Sequence, residues 1–484
     1  MNTEKIMDKV SFIRNVGTSI KNEKTWLFFE PPILEAAGLK PGDRIEMTII
    51  KEKKALVFIR SENGDHVISR RKRAGRADRP LMDRCNEEIT GIIRTRKRVD
   101  ILVSDGIFIV REEQTFDFCV FDRPALQGRE LKKFRLLSLP SGCGIASKAL
   151  ESTGFFECVF GGDIMQEAIE TYKYNFPTGA AFWGDLRRLN PEYLDPVDAV
   201  WLSPSCTKFS LLAGQGSAGG FTEGMGPFYA NLVLASQAKI VMIEEVPQYF
   251  SSRSFEMLKA LLSFTFPYWS VEQIDAYDFG SPAGRKRGYA IASQKPLNNF
   301  KWSKPKIPDH RRPTIEQVIG KDWEGRAPFR EIKGTVMEGL LNKSGNNNFK
   351  AEKNRTLVKP SDVRMSALVA SISKIQVTSS YLQHPDHANL WRPFTSSEMA
   401  SILDVSSDFV FPDYIPETKR TYMLGNSVDS RVVKSLGIEG AFQLMMDRLE
   451  GKDHQSTTTL PLVPHEYAHL NISEDINGQF AFDI

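Results

Sequence analysis

The sequence predicts an α/β protein built on a doubly wound, mostly parallel sheet, with a β-rich segment ahead of it and a less regular region inserted near its end. Three observations carry this. Between residues 134 and 293, short apolar runs alternate with helical segments, the pattern of strand–helix–strand units. Those runs stop at turn-formers or acids, as strands do when loops at their ends bind a ligand. The composition is that of a globular chain: 484 residues, 41% hydrophobic and 25% charged, with a mean hydropathy of −0.30. That length suits two or three domains. The 63 Lys and Arg against 60 Asp and Glu leave a net charge of +3, so the distribution of charge says more than its sum. No apolar run reaches the roughly 18 residues of a membrane span, and the first ten residues lack the apolar core of a secretory signal. The five cysteines (Cys85, Cys119, Cys143, Cys158, Cys206) are odd in number and include no CxxC pair. Neither a metal cluster nor a disulfide framework is indicated, and a reducing cytoplasm is the expected location.

Along the chain, Val10–Ile20 and Thr25–Phe29 read as strands, and Pro32–Ala37 as a short helix stopped at Gly38. A Pro41-Gly42-Asp43 turn then leads into an alternating strand, and KKALVFIR gives another. The stretch FFEPPILEAAGLKPGDRIEM resembles the AbrB-like swapped-hairpin modules, which are dimeric, β-rich and often DNA-binding. The resemblance implies a domain over residues 1–60 and a homodimer formed through it. The alternative is a β-hairpin cap on the larger domain. Residues 61–133 read as a basic linker, with SRRKRAGR and RTRKR, and a hairpin turning at Asp105-Gly106. Residues 134–293 carry the α/β pattern. Residues 294–375 are basic and weakly periodic. Residues 376–450 return to regular structure with a closing helix, and 451–484 form a polar tail expected to be poorly ordered.

The chemistry-bearing motifs sit at the predicted strand ends. Leu136–Leu139 runs into Ser141-Gly142-Cys143-Gly144, and a helix starts near Ile145. Glycines there let backbone approach a ligand, and a helix N-terminus offers free N–H groups. The alternative is a tight turn with no ligand. The next strand, ECVFGGDI, ends in Asp163 and Ile164, about 20 residues on, where a Rossmann-like site places an acid for ribose hydroxyls. AFWGDL then offers Asp185, suited to a purine amino group. Together these describe a nucleoside-cofactor site, and the incomplete GxGxxG favours S-adenosyl-L-methionine over a nicotinamide dinucleotide. DAVWLSPSCTKFS places Cys206 on a turn just past a strand, either as a nucleophile or as a small buried hydrophobe. IVMIEEVPQYF ends in Glu244 and Glu245. A carboxyl there is partly desolvated, so it stays protonated as a donor. DFGSPAGRKRGYAIA carries Arg285 and Arg287 on one face of an incoming strand.

The order SGCG, Asp163, Gly184-Asp185, Pro204-Ser205-Cys206, Glu244-Glu245-Val246, RKR and LGNSV resembles the cytosine-C5 DNA methyltransferases over about 134–293 and 376–440. EAIETYKYNFP, FKWSKPKIPDHRRPTIEQVIG and RPFTSSEMASIL resemble further segments of that family. The resemblance implies a Rossmann-like fold using S-adenosyl-L-methionine, a target-recognition region at 294–375, and double-stranded DNA as substrate. It implies Cys206 as the nucleophile on cytosine C6 and Glu244 as the donor to N3. Arg287 would contact O2, with Arg285 its partner. Ser141, Gly142, Cys143, Gly144, Asp163, Ile164 and Asp185 would hold the cofactor, and Asn426 and Ser427 would close its methionine end. No metal is implied.

Several positions depart from the family pattern: Ser138, Pro140, Ile145, Ser205, Thr207, Glu245 and Ala283. They point to a remote branch, a variant cofactor or weakened catalysis. The rival readings are an RNA cytosine-C5 methyltransferase and an inactive DNA-binding protein on the same fold. The basic region after Ser293 and the N-terminal segment favour DNA, and the presence of Cys206, Glu244 and Arg287 favours an enzyme.

Overall fold

The computed structural model describes residues 10–51, 54–71, 78–113, 133–204, 223–342, 350–370, 372–450, 471–474 and 480–483. Cys206, Ser205 and Thr207, most of SRRKRAGR and much of the tail lie outside the described residues. The chain divides into two compact units. One comprises residues up to Cys119 with Val159–Asp195, and the other comprises Val120–Cys158 with Pro196–Ile484.

In the first unit the strand Phe12–Gly17 lies between two others. It runs parallel to Ala180–Trp183, with Phe12 opposite Ala181 and Arg14 opposite Trp183. It runs antiparallel to Arg98–Ser104, with Asn15 opposite Asp100. Beyond these the sheet continues through Ile107–Glu112, Ala55–Arg60 and Arg44–Ile50. Gly106, at a φ of 70°, makes the turn between the Arg98–Ser104 and Ile107–Glu112 strands. Phe29, Phe58 and Phe108 form the aromatic core, with the last two stacked at 4.7 Å. On the other edge of Ala180–Trp183, Phe156–Asp163 pairs with it in parallel, followed by the helix Gln166–Asn175. Gly161 has to be glycine, since a Cβ would sit 2.3 Å from the Tyr172 ring.

The stretch expected as a basic linker is ordered wherever it is described. Arg79–Cys85 is a strand in a second sheet with Ser19–Lys21, Lys24–Phe29 and Ser69–Arg71, and Glu87–Ile92 is a helix capped by Asn86. Several of its described cations face carboxylates or an amide of this unit. Arg79 bonds Glu35 at 2.6 Å, Arg84 bonds Asp65 at 2.8 Å, and Arg94 bonds Glu112 at 2.9 Å. Arg98 donates to Asn15 Oδ1 at 2.6 Å. A local charge count does not see these partners, because they lie 18 to 83 residues away in sequence.

In the second unit Phe134–Leu139, Ala199–Leu202 and Ile240–Glu245 pair in parallel. Lys286–Ser293 and Tyr268–Asp275 add antiparallel. Val200, Trp201, Val241, Met242 and Ile243 are all buried, as continuous apolar strands covered on both faces must be. The long helix Ser430–Glu450 crosses Ile145–Ser152 so closely that a Cβ at Gly437 would lie 2.4 Å from Leu150 Cδ2. A small sheet orders Arg330–Glu331, Leu390–Arg392, Tyr381–Gln383 and Leu357–Val358. The boundary expected at 375 therefore falls inside this sheet, whose strands on both sides of it share backbone hydrogen bonds. Arg392 is wholly buried and pairs with Glu398 at 2.6 and 2.8 Å. Glu398 also closes a capping box with Thr395, so RPFTSSE is a structural knot. In the tail, Asn471–Glu474 pairs with Phe480–Asp483, where only a polar, poorly ordered segment was expected. Among the described residues, no helix is long and apolar enough to cross a membrane. No group of His, Cys, Asp and Glu among them is placed to hold a metal ion.

Candidate active site

In the second unit the ends of the Ala199–Leu202 and Ile240–Glu245 strands lie side by side, with Leu202 opposite Ile243. One residue further, Ser203 accepts a hydrogen bond from Trp201 Nε1 at 2.9 Å. Its hydroxyl donates to Glu244 Oε2 at 3.4 Å. Cys206 follows three residues later, outside the described residues. Arg287 Nε lies 3.3 Å from Glu244 Oε1. Burial raises the Glu244 pKa above its ordinary value, and Arg287 and Arg285 oppose that rise. The net direction favours a protonated acid. Glu245 is also buried, accepts a hydrogen bond from the Val246 amide, and is pushed up to about 9 by burial and by the neighbouring Glu244.

Arg285 and Arg287 turn out to have separate partners. Arg285 precedes the strand, is buried, and donates from Nη1 to the carbonyls of Leu368 at 3.2 Å and Gly425 at 3.3 Å. Arg287 keeps its guanidinium partly exposed beside Glu244. Arg285 therefore ties the segment before the strand to the LGNSV turn. Gly425 is fixed by the same packing, since a Cβ would lie 2.4 Å from the Ala370 amide nitrogen. Asn426 ends the helix Glu417–Asn426 and is exposed, with Ser427 capping it half-buried.

The Ser141–Gly144 turn has the conformation a ligand loop needs. Gly142 and Gly144 have φ values of 54° and 97°, a region costly for other residues. No atom lies within 4 Å of a Cβ built on Gly142, so the space above it is open. Gly144 caps the helix Ile145–Ser152 without any side-chain hydrogen bond. Cys143 is buried, as is Ile145. Ser138 is buried too, and its hydroxyl has no hydrogen-bond partner among the described residues.

In the first unit Asp163 Oδ1 accepts from the Met165 amide at 2.9 Å, which fixes the carboxylate at the strand end. Ile164 beside it is 65% exposed, an apolar surface free for a flat base. Asp185 holds the Leu186–Arg188 turn by accepting from the Arg187 amide at 3.0 Å. Its carboxylate also accepts from Arg187 Nε and Nη2, the latter at 2.6 Å. Because Nε is shared between the two oxygens, Asp185 accepts four hydrogen bonds from Arg187, which hold its carboxylate firmly at the turn. Within this unit, a fixed carboxylate, an exposed aliphatic side chain and a second carboxylate at a turn fit the nucleoside part of a cofactor.

The sequence pattern of the C-5 cytosine-specific DNA methylases matches residues 134–439. The chain belongs to that family. S-adenosyl-L-methionine is the family's methyl donor. The chain is 28% identical over 188 residues to the type II methyltransferase M.HhaI of Haemophilus parahaemolyticus, a match covering 37% of this chain and 56% of that protein. It is 26% identical over 311 residues to M.MspI of a Moraxella species, covering 63% and 69%. The chain thus spans little more than half of the first relative and about two thirds of the second. Among solved structures, the S. pombe Dnmt2 methyltransferase matches 66% of this chain and 99% of its own at 21% identity, with a TM-score of 0.50. The Entamoeba histolytica methyltransferase EhMeth matches 65% and 99% at 19% identity, with the same TM-score. These two likenesses establish the methyltransferase fold.

The methylase pattern starts at residue 134, so the N-terminal strands lie outside it. Sequence reading missed three contacts around the site: Ser203 on Glu244, Arg14 on Trp183, and Trp183 Nε1 on the Ile164 carbonyl at 3.1 Å. The side chains are ordinary types, and their partners lie 41, 169 and 19 residues away.

Proposed function

We propose that the protein methylates C5 of cytosine in double-stranded DNA. The observation that carries this reading is the buried Glu244 beside Arg287, at the end of the strand next to the one that leads into Cys206. Cytosine C5 is a poor nucleophile, and addition of the Cys206 thiolate to C6 places electron density on C5. Protonated Glu244 donates to N3 and takes up the charge that addition develops. Arg287 holds O2 and, through its ion pair, the orientation of Glu244. S-adenosyl-L-methionine, when bound, supplies the electrophilic methyl group. Loss of the C5 proton to a base then expels the Cys206 thiolate and restores the aromatic ring. The base must leave the duplex for C6 to be reached.

Ser141, Gly142, Cys143 and Gly144 would approach the cofactor through backbone. Asp163 would take the ribose hydroxyls, Ile164 the face of the adenine and Asp185 its amino group. Asn426 and Ser427 would lie toward the methionine end. Arg285 we read as the residue that positions Arg287 and the LGNSV turn. The segment around residues 294–392 would read the DNA sequence from its loops.

Residues 1–60 keep their resemblance to swapped hairpins, which supports a homodimer. Their strands pair with Arg98–Ser104, Ile107–Glu112 and Ala180–Trp183 of the same chain, which supports a cap, and we favour the cap. Sedimentation of the full chain as a dimer that dissociates when 1–60 is removed would restore the swapped-hairpin reading.

The test of function is incubation of the full-length protein with S-adenosyl-L-methionine and either unmethylated duplex DNA or RNA. Formation of 5-methylcytosine in DNA supports the proposal. Formation only in RNA would favour the RNA enzyme, and formation in neither the inactive binder.

A further inference from the structure

We propose that the N-terminal strands are a positioning element for the cofactor acids, acting through Arg14 and Asn15 on the Trp183–Arg188 segment. This rests on the reading of Asp163 and Asp185 as cofactor-binding residues. Strand Ala180–Trp183 would be an open edge without Phe12–Gly17, which closes it in parallel register. Arg14 then reaches across to the strand end. Its guanidinium lies 3.5 Å from the centre of the Trp183 ring, and Nη1 donates to the Trp183 carbonyl at 3.2 Å. Trp183 passes the constraint on, since its Nε1 donates to the Ile164 carbonyl. The next residue, Gly184, donates to the Asp163 carbonyl at 3.0 Å. Thus Arg14 holds one tryptophan that touches the loops bearing both acids.

A second grip lies one residue along. Asn15 is fully buried, and a Cβ on Gly184 would lie 3.2 Å from the Asn15 Cβ, so the two backbones are in close approach. Asn15 Nδ2 donates to Asp100 Oδ1 at 2.8 Å and Glu113 Oε1 at 3.1 Å, while its Oδ1 accepts from Arg98. Glu113 in turn accepts from Arg188 at 2.9 Å, three residues beyond Asp185. Tyr193 donates to Asp100 Oδ2 at 3.0 Å. The segment from Trp183 to Tyr193 is therefore held at its start, at Arg188 and at its end by residues 14–113. Apart from Arg14 Nε, which faces Glu30 Oε2 at 3.7 Å, these groups pair with one another, which is what a support for a binding loop requires. The extension lies outside the methylase pattern, yet it touches the residues that flank Asp185.

The experiment uses the full-length protein and measures calorimetric affinity for S-adenosyl-L-methionine alongside affinity for duplex DNA. Arg14→Ala should weaken the cofactor roughly three- to thirtyfold, the equivalent of a lost, partly desolvated cation–π contact. DNA affinity should stay within about twofold, and Arg14→Lys, which keeps a cation, should recover most of the loss. Glu113→Gln, a milder change at a largely covered side chain, should weaken the cofactor in the same direction. Asp185→Ala serves as the control for the underlying reading. If Asp185→Ala weakens the cofactor while the Arg14 and Glu113 variants do not, the positioning role is overturned and the reading of Asp185 stands. If Asp185→Ala has no effect, that reading falls and the inference with it. Equal losses of cofactor and DNA affinity in Arg14→Ala, with no recovery in Arg14→Lys, would mark a merely structural contact and overturn the proposal.

Discussion

Arg287 Nε lies 3.3 Å from Glu244 Oε1, with the Ser203 hydroxyl on the other carboxyl oxygen. In the proposed mechanism the pair couples two roles: the guanidinium that would hold O2 also orients the acid that would serve N3. Arg287 opposes the rise that burial imposes on Glu244 without cancelling it. Glu244→Gln should then slow the chemical step by roughly 10²–10⁴, the usual range for a positioned acid. The amide still bonds N3 but delivers no proton. Single-turnover methylation of duplex DNA would read this, and a rate within about threefold of wild type would remove Glu244 as the acid.

Glu245 makes a different prediction, about stability. Its folded pKa of about 9 lies above the ordinary 4.5. The folded state therefore holds a proton that the unfolded state releases. The contribution is fully present below about 4.5 and is lost as pH rises toward 9. The unfolding midpoint should fall across that window, and Glu245→Gln should flatten the fall while leaving turnover much less affected than Glu244→Gln. Thermal unfolding at several pH values would check it.

Gly425→Ala should destabilise by about 1–3 kcal/mol, the usual cost of overpacking. The added carbon would meet the Ala370 amide nitrogen at 2.4 Å, and backbone has little room to yield. The Gly425 carbonyl also receives Arg285, so the shift should disturb the segment leading to Arg287. Denaturant unfolding and the methylation rate should therefore fall together.

Arg392→Ala should cost about 3–5 kcal/mol, because it leaves the wholly buried Glu398 without its bidentate partner. Urea unfolding measures this, and a loss under about 1 kcal/mol would mean that Glu398 is neutral or finds other partners.

Much of the methyltransferase core was legible because its signals are local. Parallel strands buried on both faces read as apolar runs, and the glycines at 142 and 144 sit where positive φ is needed. Asp163 stands at the end of its strand and Asp185 just past the next, where loops begin. The N-terminal region was read less well, and for a physical reason. Lys and Arg runs look solvated when their partners are remote, yet Arg79 meets Glu35 and Glu170, and Arg98 meets Asn15. Likewise nothing near Phe12–Gly17 signals that it adds to Ala180–Trp183, since strand pairing across that distance leaves no periodic trace. The different partners of Arg285 and Arg287 were equally hidden. Their spacing of two suggested a shared face, but Arg285 lies just before the strand, where alternation does not apply.

The most direct test of the central claim is covalent trapping by the full-length protein with S-adenosyl-L-methionine and a duplex carrying 5-fluorocytosine. Fluorine at C5 blocks the final elimination, so a true nucleophile stays attached to C6. The account predicts a denaturant-stable protein–DNA adduct that is suppressed by competing DNA but not by RNA, and that is absent in Cys206→Ser. No adduct with wild type, an adduct that survives Cys206→Ser, or suppression by RNA alone would contradict it.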